Sequence, residues 1–206
     1  MVLKSYAERS AESTLVTLRA MDVIEAIRAR RSIKRFTPSP VTREQIETLL
    51  DVATLAPNHR LTQPWRFYVL GPAARHAYGM ALGERKARKQ PDPESGRAVK
   101  EAVAREHFEL PAMIAVAVVQ SDDPEVAKED YAAAMMAVLN LSLGAIDLGL
   151  GTHIKTGGVM DDAAARSAAG VHDSEKIVAI VNVGTPAEVP PGKRRTPAGE
   201  LTTWRD

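Results

Sequence analysis

The chain has 206 residues, with 27 Lys and Arg against 26 Asp and Glu, 45% hydrophobic residues and no cysteine. A balance so near zero leaves no overall field to gather nucleic acid or an anionic membrane, and the lack of cysteine excludes disulfides, thiolate metal sites and thiol redox chemistry. Such a composition folds as one domain with a sizeable core; any anion site is local, and redox work needs a borrowed cofactor.

Residues 1–20 scatter Lys4, Glu8, Arg9, Glu12 and Arg19 among Leu15, Val16 and Leu18. They lack the apolar run of a signal peptide, so they read as an N-terminal extension before a domain spanning 21–206, and the protein is expected in the cytoplasm. Asp22 followed by Glu25 predicts a helix start, with Val23, Ile24 and Ile27 on one side and an end near Arg31. Thr42 and Gln45 repeat that signal; Ile46, Leu49, Leu50 and Ala53 then predict a core-packed helix stopped by Pro57.

Trp65–Leu70, Met113–Val119 and Ile177–Val183 read as strands, the last two apolar without alternation, so helices are expected on both faces of their sheet. Residues 83–100 are charged and broken by prolines, and read as a mobile surface segment poised as a lid. Residues 130–148 predict a helix apolar on most of its circumference, ended by Gly149-Leu150-Gly151 and placed centrally or in a dimer interface. No apolar stretch is long enough to span a bilayer. From Gly184 to Asp206 four prolines precede Leu201 and Trp204, the pattern of an extended arm lying on this subunit or a neighbour.

Arg30, Ser32 and Lys34 alternate, so in an extended segment they share a face and could hold a phosphate by charge-assisted bonds. Equally, basic residues at a helix C-terminus complement its dipole in solvent. Lys193-Arg194-Arg195 forms a second basic cluster in a loop, and 149–158 is a glycine-rich turn that permits close backbone approach to a ring or phosphate. Its spacing is not that of a dinucleotide fingerprint. The five histidines lack metal-ligand spacing, no metal site is expected, and neither a nucleophile elbow nor a carboxylate pair stands out.

Arg30-Arg31-Ser32-Ile33-Lys34-Arg35-Phe36, Ala56-Pro57-Asn58-His59 with Gln63-Pro64-Trp65-Arg66-Phe67, the Gly149-x-Gly151 turn and Lys193-x-Arg195 together resemble the nitroreductase family of flavoproteins, in order and spacing from about Met21 to the end. The variant is most similar to the small single-domain NAD(P)H nitroreductase subgroup. The resemblance implies an α+β three-layer sandwich: a central, mostly antiparallel sheet flanked by helices, with a C-terminal arm swapped onto the partner of a homodimer. It implies FMN as cofactor and NADH or NADPH as co-substrate. Carried over by position, FMN contacts fall to Arg30, Arg31, Ser32, Lys34, His59, Gln63, Ile154, Lys155, Thr156, Lys193 and Arg195.

Of these, Arg30, Ser32 and Arg195, with Lys193, match the phosphate or ribityl contacts, and His59 comes from the other subunit. Lys34, near the flavin N1 edge, stabilises negative charge on the reduced ring; no residue acts as nucleophile and none binds metal. The implied reaction is ping-pong hydride transfer from NAD(P)H through flavin N5 to a nitroaromatic, quinone or similar electron-poor small molecule. Dehydrogenase, dehalogenase or flavin-fragmenting chemistry on the same fold, or flavin binding without turnover, stay open as alternatives. Many relatives carry Asn where this chain has Leu61, and the small subgroup often has Arg where it has Leu55.

Overall fold

A computed structural model of the chain describes residues 22–206; the expected extension over residues 1–20 lies outside them. Six α-helices and four strands follow in the order α1 (Val23–Ala29), α2 (Arg43–Thr54), β1 (Trp65–Val69), α3 (Pro72–Ala87), α4 (Pro93–Phe108), β2 (Ala112–Val119), α5 (Pro124–Asp147), β3 (Gly151–Lys155), α6 (Ala163–Ala169) and β4 (Glu175–Gly184). Most helix starts are written in short polar side chains. Asp22, Thr42, Asp92, Asp123 and Asp162 each accept a hydrogen bond from the first turn, and Thr42 with Gln45 closes a full capping box.

The sheet runs β1-β2-β4-β3, antiparallel at every pairing. Its inner strands alternate between two apolar layers. Ile114, Val116 and Val118 join Val181 and Val183 under α2 and α5, while Met113, Ala115, Ala117 and Ile180 join Tyr78 of α3 and Ala165 and Ala169 of α6. Both faces are covered, as the unbroken apolar runs require, and the expected α+β sandwich is what forms.

Two sequence expectations differ. Residues 83–100 are not a mobile segment: they end α3 and begin α4, and only 88–92 turn between them. Pro93 sits in the first turn of α4, where a missing amide costs nothing, so the prolines mark a helix start rather than a break. The hairpin is held by close backbone approach, since a Cβ at Gly79 would lie 2.8 Å from the Ala104 Cα and one at Gly83 2.8 Å from the Lys100 Cα. The charged residues cover its outside. Within the predicted turn over 149–158, Gly149 does end α5 at a φ of 68°, but Gly151–Lys155 is the edge strand β3. Gly151 is needed there for the chain's own packing, because a Cβ would fall 2.4 Å from the Ile33 side chain.

Candidate functional site

Where α1 ends at Arg30, the backbone turns extended, with φ −53° and ψ 127°. Ser32 bridges Thr152 in parallel, the Ile33 amide donates to the Thr152 carbonyl at 2.9 Å, and Ile33 is buried against Gly151. The basic segment thus becomes a short addition to the free side of β3. Its far end is pinned to the tail by the Phe36–Pro186 bridge, by the Thr37 amide on Thr185 and by the Ala187 amide on Arg35. Tail residues 188–195 then run back beside the basic segment. The result is a cleft of about 780 Å³ lined by Ile27, Arg28, Arg30, Arg31, Ser32, Lys34, Arg35, Glu188, residues 190–193 and Arg195. Two clusters from opposite ends of the domain meet in it.

Their charges are not equally available. Arg35 is paired with Glu188. Arg31 donates to the Arg28 carbonyl at 2.6 Å and the Arg30 carbonyl at 2.9 Å and lies against Gly192, so for this residue the helix-end reading holds. Among the described residues, Arg30, Lys34, Lys193 and Arg195 enter no ion pair. A hydroxyl and several unneutralised cations around one hollow can bind an anion, each charge-assisted bond contributing about 1.5–3 kcal/mol.

Lys34 also lines an adjoining cavity of about 540 Å³ with Phe36, Glu106, Glu109, Pro111 and Glu188. Of the expected β3 contacts, Lys155 lies half-buried; burial pushes its ammonium down, Glu106 opposing and Lys86 adding to the shift. His153 is lowered as well, by burial first and then by Lys155 and Lys34. Ile154 packs into the core under α5, and Thr156, just past the strand, lines a separate hollow with Tyr131 and Met160. One subunit therefore does not bring Ile154, Lys155 and Thr156 into the basic cleft.

His59 and Gln63 line neither cavity. They stand on the loop before β1, gripped by α5: His59 Nδ1 is 3.1 Å from Glu129, and Arg60 reaches Glu129 at 2.9 Å and Glu125 at 3.5 Å. Arg60 and, after it, His59 hold the Glu129 carboxyl below the usual range. Leu61 and Gln63 have φ of 50° and 45°, left-handed backbone that costs a non-glycine residue about 1–2 kcal/mol. Asp130 is buried and accepts the Thr62 hydroxyl, which Asn58 reaches in turn; Asn58 stood within the Ala56-Pro57-Asn58-His59 motif, but neither Thr62 nor Asp130 carried a sequence signal beyond an acid in an apolar helix.

Among the described residues no group of three or more His, Cys, Asp or Glu could hold a metal ion, and no helix is long and apolar enough to cross a membrane.

Comparison with known proteins gives concordant matches. The profile of the nitroreductase family matches residues 27–185. A Bacillus subtilis (strain 168) protein named "Putative NAD(P)H nitroreductase YfhC" is 34% identical over 183 residues, 87% of this chain and 92% of its own length. A nitroreductase-like family protein from Bacillus cereus superposes with a TM-score of 0.79 at 26% identity, covering 95% of this chain and all of the other. A Desulfovibrio desulfuricans protein solved "in complex with fmn", named a "putative nitroreductase", superposes at 0.67 with 27% identity over 90% of this chain and 98% of its own.

Proposed function

Because this chain belongs to the nitroreductase family, we propose that it is an FMN-dependent oxidoreductase that takes a hydride from NADH or NADPH and delivers it to a nitroaromatic, quinone or similar electron-poor small molecule. The observation that carries the reading is the cleft between 30–35 and 188–195. It is roomy enough for a cofactor, within the range of about 300–1,000 Å³ usual for ligand sites, and its hydroxyl and the cations that enter no ion pair among the described residues match a phosphate monoester. Arg30, Ser32, Lys193 and Arg195 would hold the phosphate and ribityl chain. Arg31 shapes the wall. Lys34, at the junction with the neighbouring cavity, would place a fixed positive charge beside the ring.

FMN supplies, when bound, the two-electron exchange between nicotinamide and acceptor. The residues of the chain need only bind, orient and stabilise charge, which accounts for a site without a nucleophile or metal cluster.

The proposal includes a homodimer whose cofactor sites need both subunits. Three features support it. Val23, Ile24 and Ile27 of α1 turn their apolar side outward, Ile27 being 53% exposed; the tail leaves Leu201 and Trp204 exposed, the latter by 89%; and among the described residues β1 is an edge strand of the sheet. Such surfaces fit a second copy of the chain, and its loop could then bring His59 to the flavin. The cytoplasm, which supplies NADH and NADPH, is the proposed location. Purified protein supplied with FMN is expected to show bound-flavin absorbance and to oxidise NADH or NADPH when a quinone or a nitroarene is added. Flavin binding without reduction of either acceptor would overturn the activity, and no flavin binding would overturn the whole reading.

A further inference from the structure

The loop over 58–63 is exposed, yet it holds a conformation its residues do not favour. Leu61, 77% exposed, and Gln63 both lie in the left-handed region. Exposure rules out core packing as the cause at Leu61, and strain retained in an exposed loop points to a use. A chain of hydrogen bonds retains it. Asn58 Oδ1 accepts the Gln63 amide at 2.7 Å, and the Leu61 amide donates to the Asn58 carbonyl at 3.2 Å. Asn58 Nδ2 donates to the Thr62 hydroxyl at 3.2 Å, and that hydroxyl donates its one proton to Asp130 at 2.5 Å.

Asp130 is the unusual member. It stands on α5, 5% exposed, among Ala133, Ala134 and other apolar residues of the helix, and among the described residues it enters no ion pair. A buried carboxylate without a cation is costly, and an alanine would serve the helix better. Among the described residues its one side-chain bond runs to Thr62, so its place in the helix is explained by what it holds in the loop. The same loop carries His59, pinned through Nδ1 to Glu129 one position earlier on α5, which leaves Nε2 pointing away from that carboxylate.

We propose that Asp130 is a positioning residue of the flavin site: by accepting the Thr62 hydroxyl it locks the 58–63 loop in the left-handed form that presents His59 to the cofactor held by a second copy of the chain. This rests on the reading of the protein as a two-subunit FMN enzyme. The loop-holding part stands apart from that reading and is measured without flavin.

The test compares the parent with Asp130→Ala and Thr62→Val, the latter altering only an exposed loop position should the helix substitution fail to fold. Hydrogen exchange of the 56–65 segment without FMN is expected to quicken by about 10-fold or more in both variants, because the Leu61 and Gln63 amides lose their shelter, while β2 keeps its protection. With FMN, kcat/KM for quinone reduction is expected to fall about 5- to 30-fold. Adding Leu61→Gly to Asp130→Ala, which makes the left-handed form easy, is expected to recover most of that loss, and Thr62→Ser is expected to match the parent. A merely structural aspartate would not be rescued by a glycine in the loop. Unchanged exchange would overturn the proposal. Quickened exchange with kcat/KM and FMN affinity as in the parent would overturn the positioning role. A parent that binds no flavin would remove the flavin reading and the role built on it, and the exchange data would still decide whether Asp130 holds the loop.

Discussion

Single residues in the basic segment have separable jobs. The alternation of Arg30, Ser32 and Lys34 was legible because an extended segment puts every second side chain on one face, and the cleft contains all three. That Arg31 would fold back onto the carbonyls of α1, and that Glu188 would neutralise Arg35, was not legible, since both depend on where the tail returns. We expect Lys34→Met to keep FMN bound but to lower its midpoint potential by about 30–65 mV, taking about 1.4–3 kcal/mol of lost stabilisation of the reduced ring. A spectroelectrochemical titration with both potentials equal would make Lys34 a bystander. At Leu61 the backbone is left-handed, a conformation that Asn adopts more easily than Leu. Leu61→Asn is therefore expected to stabilise the protein by about 1 kcal/mol, read as a higher midpoint in urea, and an unchanged or lower midpoint would contradict the strain.

Elements were legible where their signal is local. Capping residues placed the starts of α1 and α2, and unbroken apolar runs placed β2 and β4 with cover on both faces. The glycines flanking β3 made it read as a turn, although the resemblance placed 154–156 in a strand, and the α3–α4 hairpin was hidden by its charge and prolines, because charge on the outer face of a helix looks in sequence like charge in a loop. What defines the hairpin is the glycines of α3, a tertiary feature. Gly79→Ala would place a methyl 2.8 Å from the Ala104 Cα and 2.9 Å from the His107 Cβ. Overpacking of about 1–3 kcal/mol outweighs a helix-propensity gain of about 1 kcal/mol, so the thermal midpoint is expected to fall. Gly96→Ala, whose methyl would reach only ordinary van der Waals contact with Ala87, 3.4 Å to the nearest atom, makes the same change without a clash and is expected to be neutral or stabilising. Equal effects at the two positions would contradict this account of the hairpin.

The molecule as a whole buries groups that resist charging. Burial lowers the pKa of His107, against a hydrogen bond to the Val103 carbonyl that raises it, and burial lowers His153 too. The unfolded chain takes up these protons as pH falls through about 6.5 and the folded chain does not, so the stabilisation is complete above that pH and is lost towards the lower folded values, by at most about 1.4 kcal/mol per pH unit for each histidine. The thermal midpoint is expected to drop between pH 7 and 5, and less steeply in His107→Phe; a flat profile in the parent would contradict it. Globally, too, the cleft exists only because the two ends of the domain meet, Arg30, Ser32 and Lys34 with Lys193 and Arg195, a pairing that the resemblance suggested and spacing alone could not. The most direct test of the phosphate clamp is to titrate the flavin-free protein with FMN and with riboflavin, which lacks the phosphate. FMN is expected to bind at least about 100-fold more tightly, and Arg30→Ala to cut that preference about 10- to 150-fold while leaving riboflavin affinity alone. Equal affinity for the two flavins, or a preference that survives Arg30→Ala intact, would contradict the assignment of the cleft.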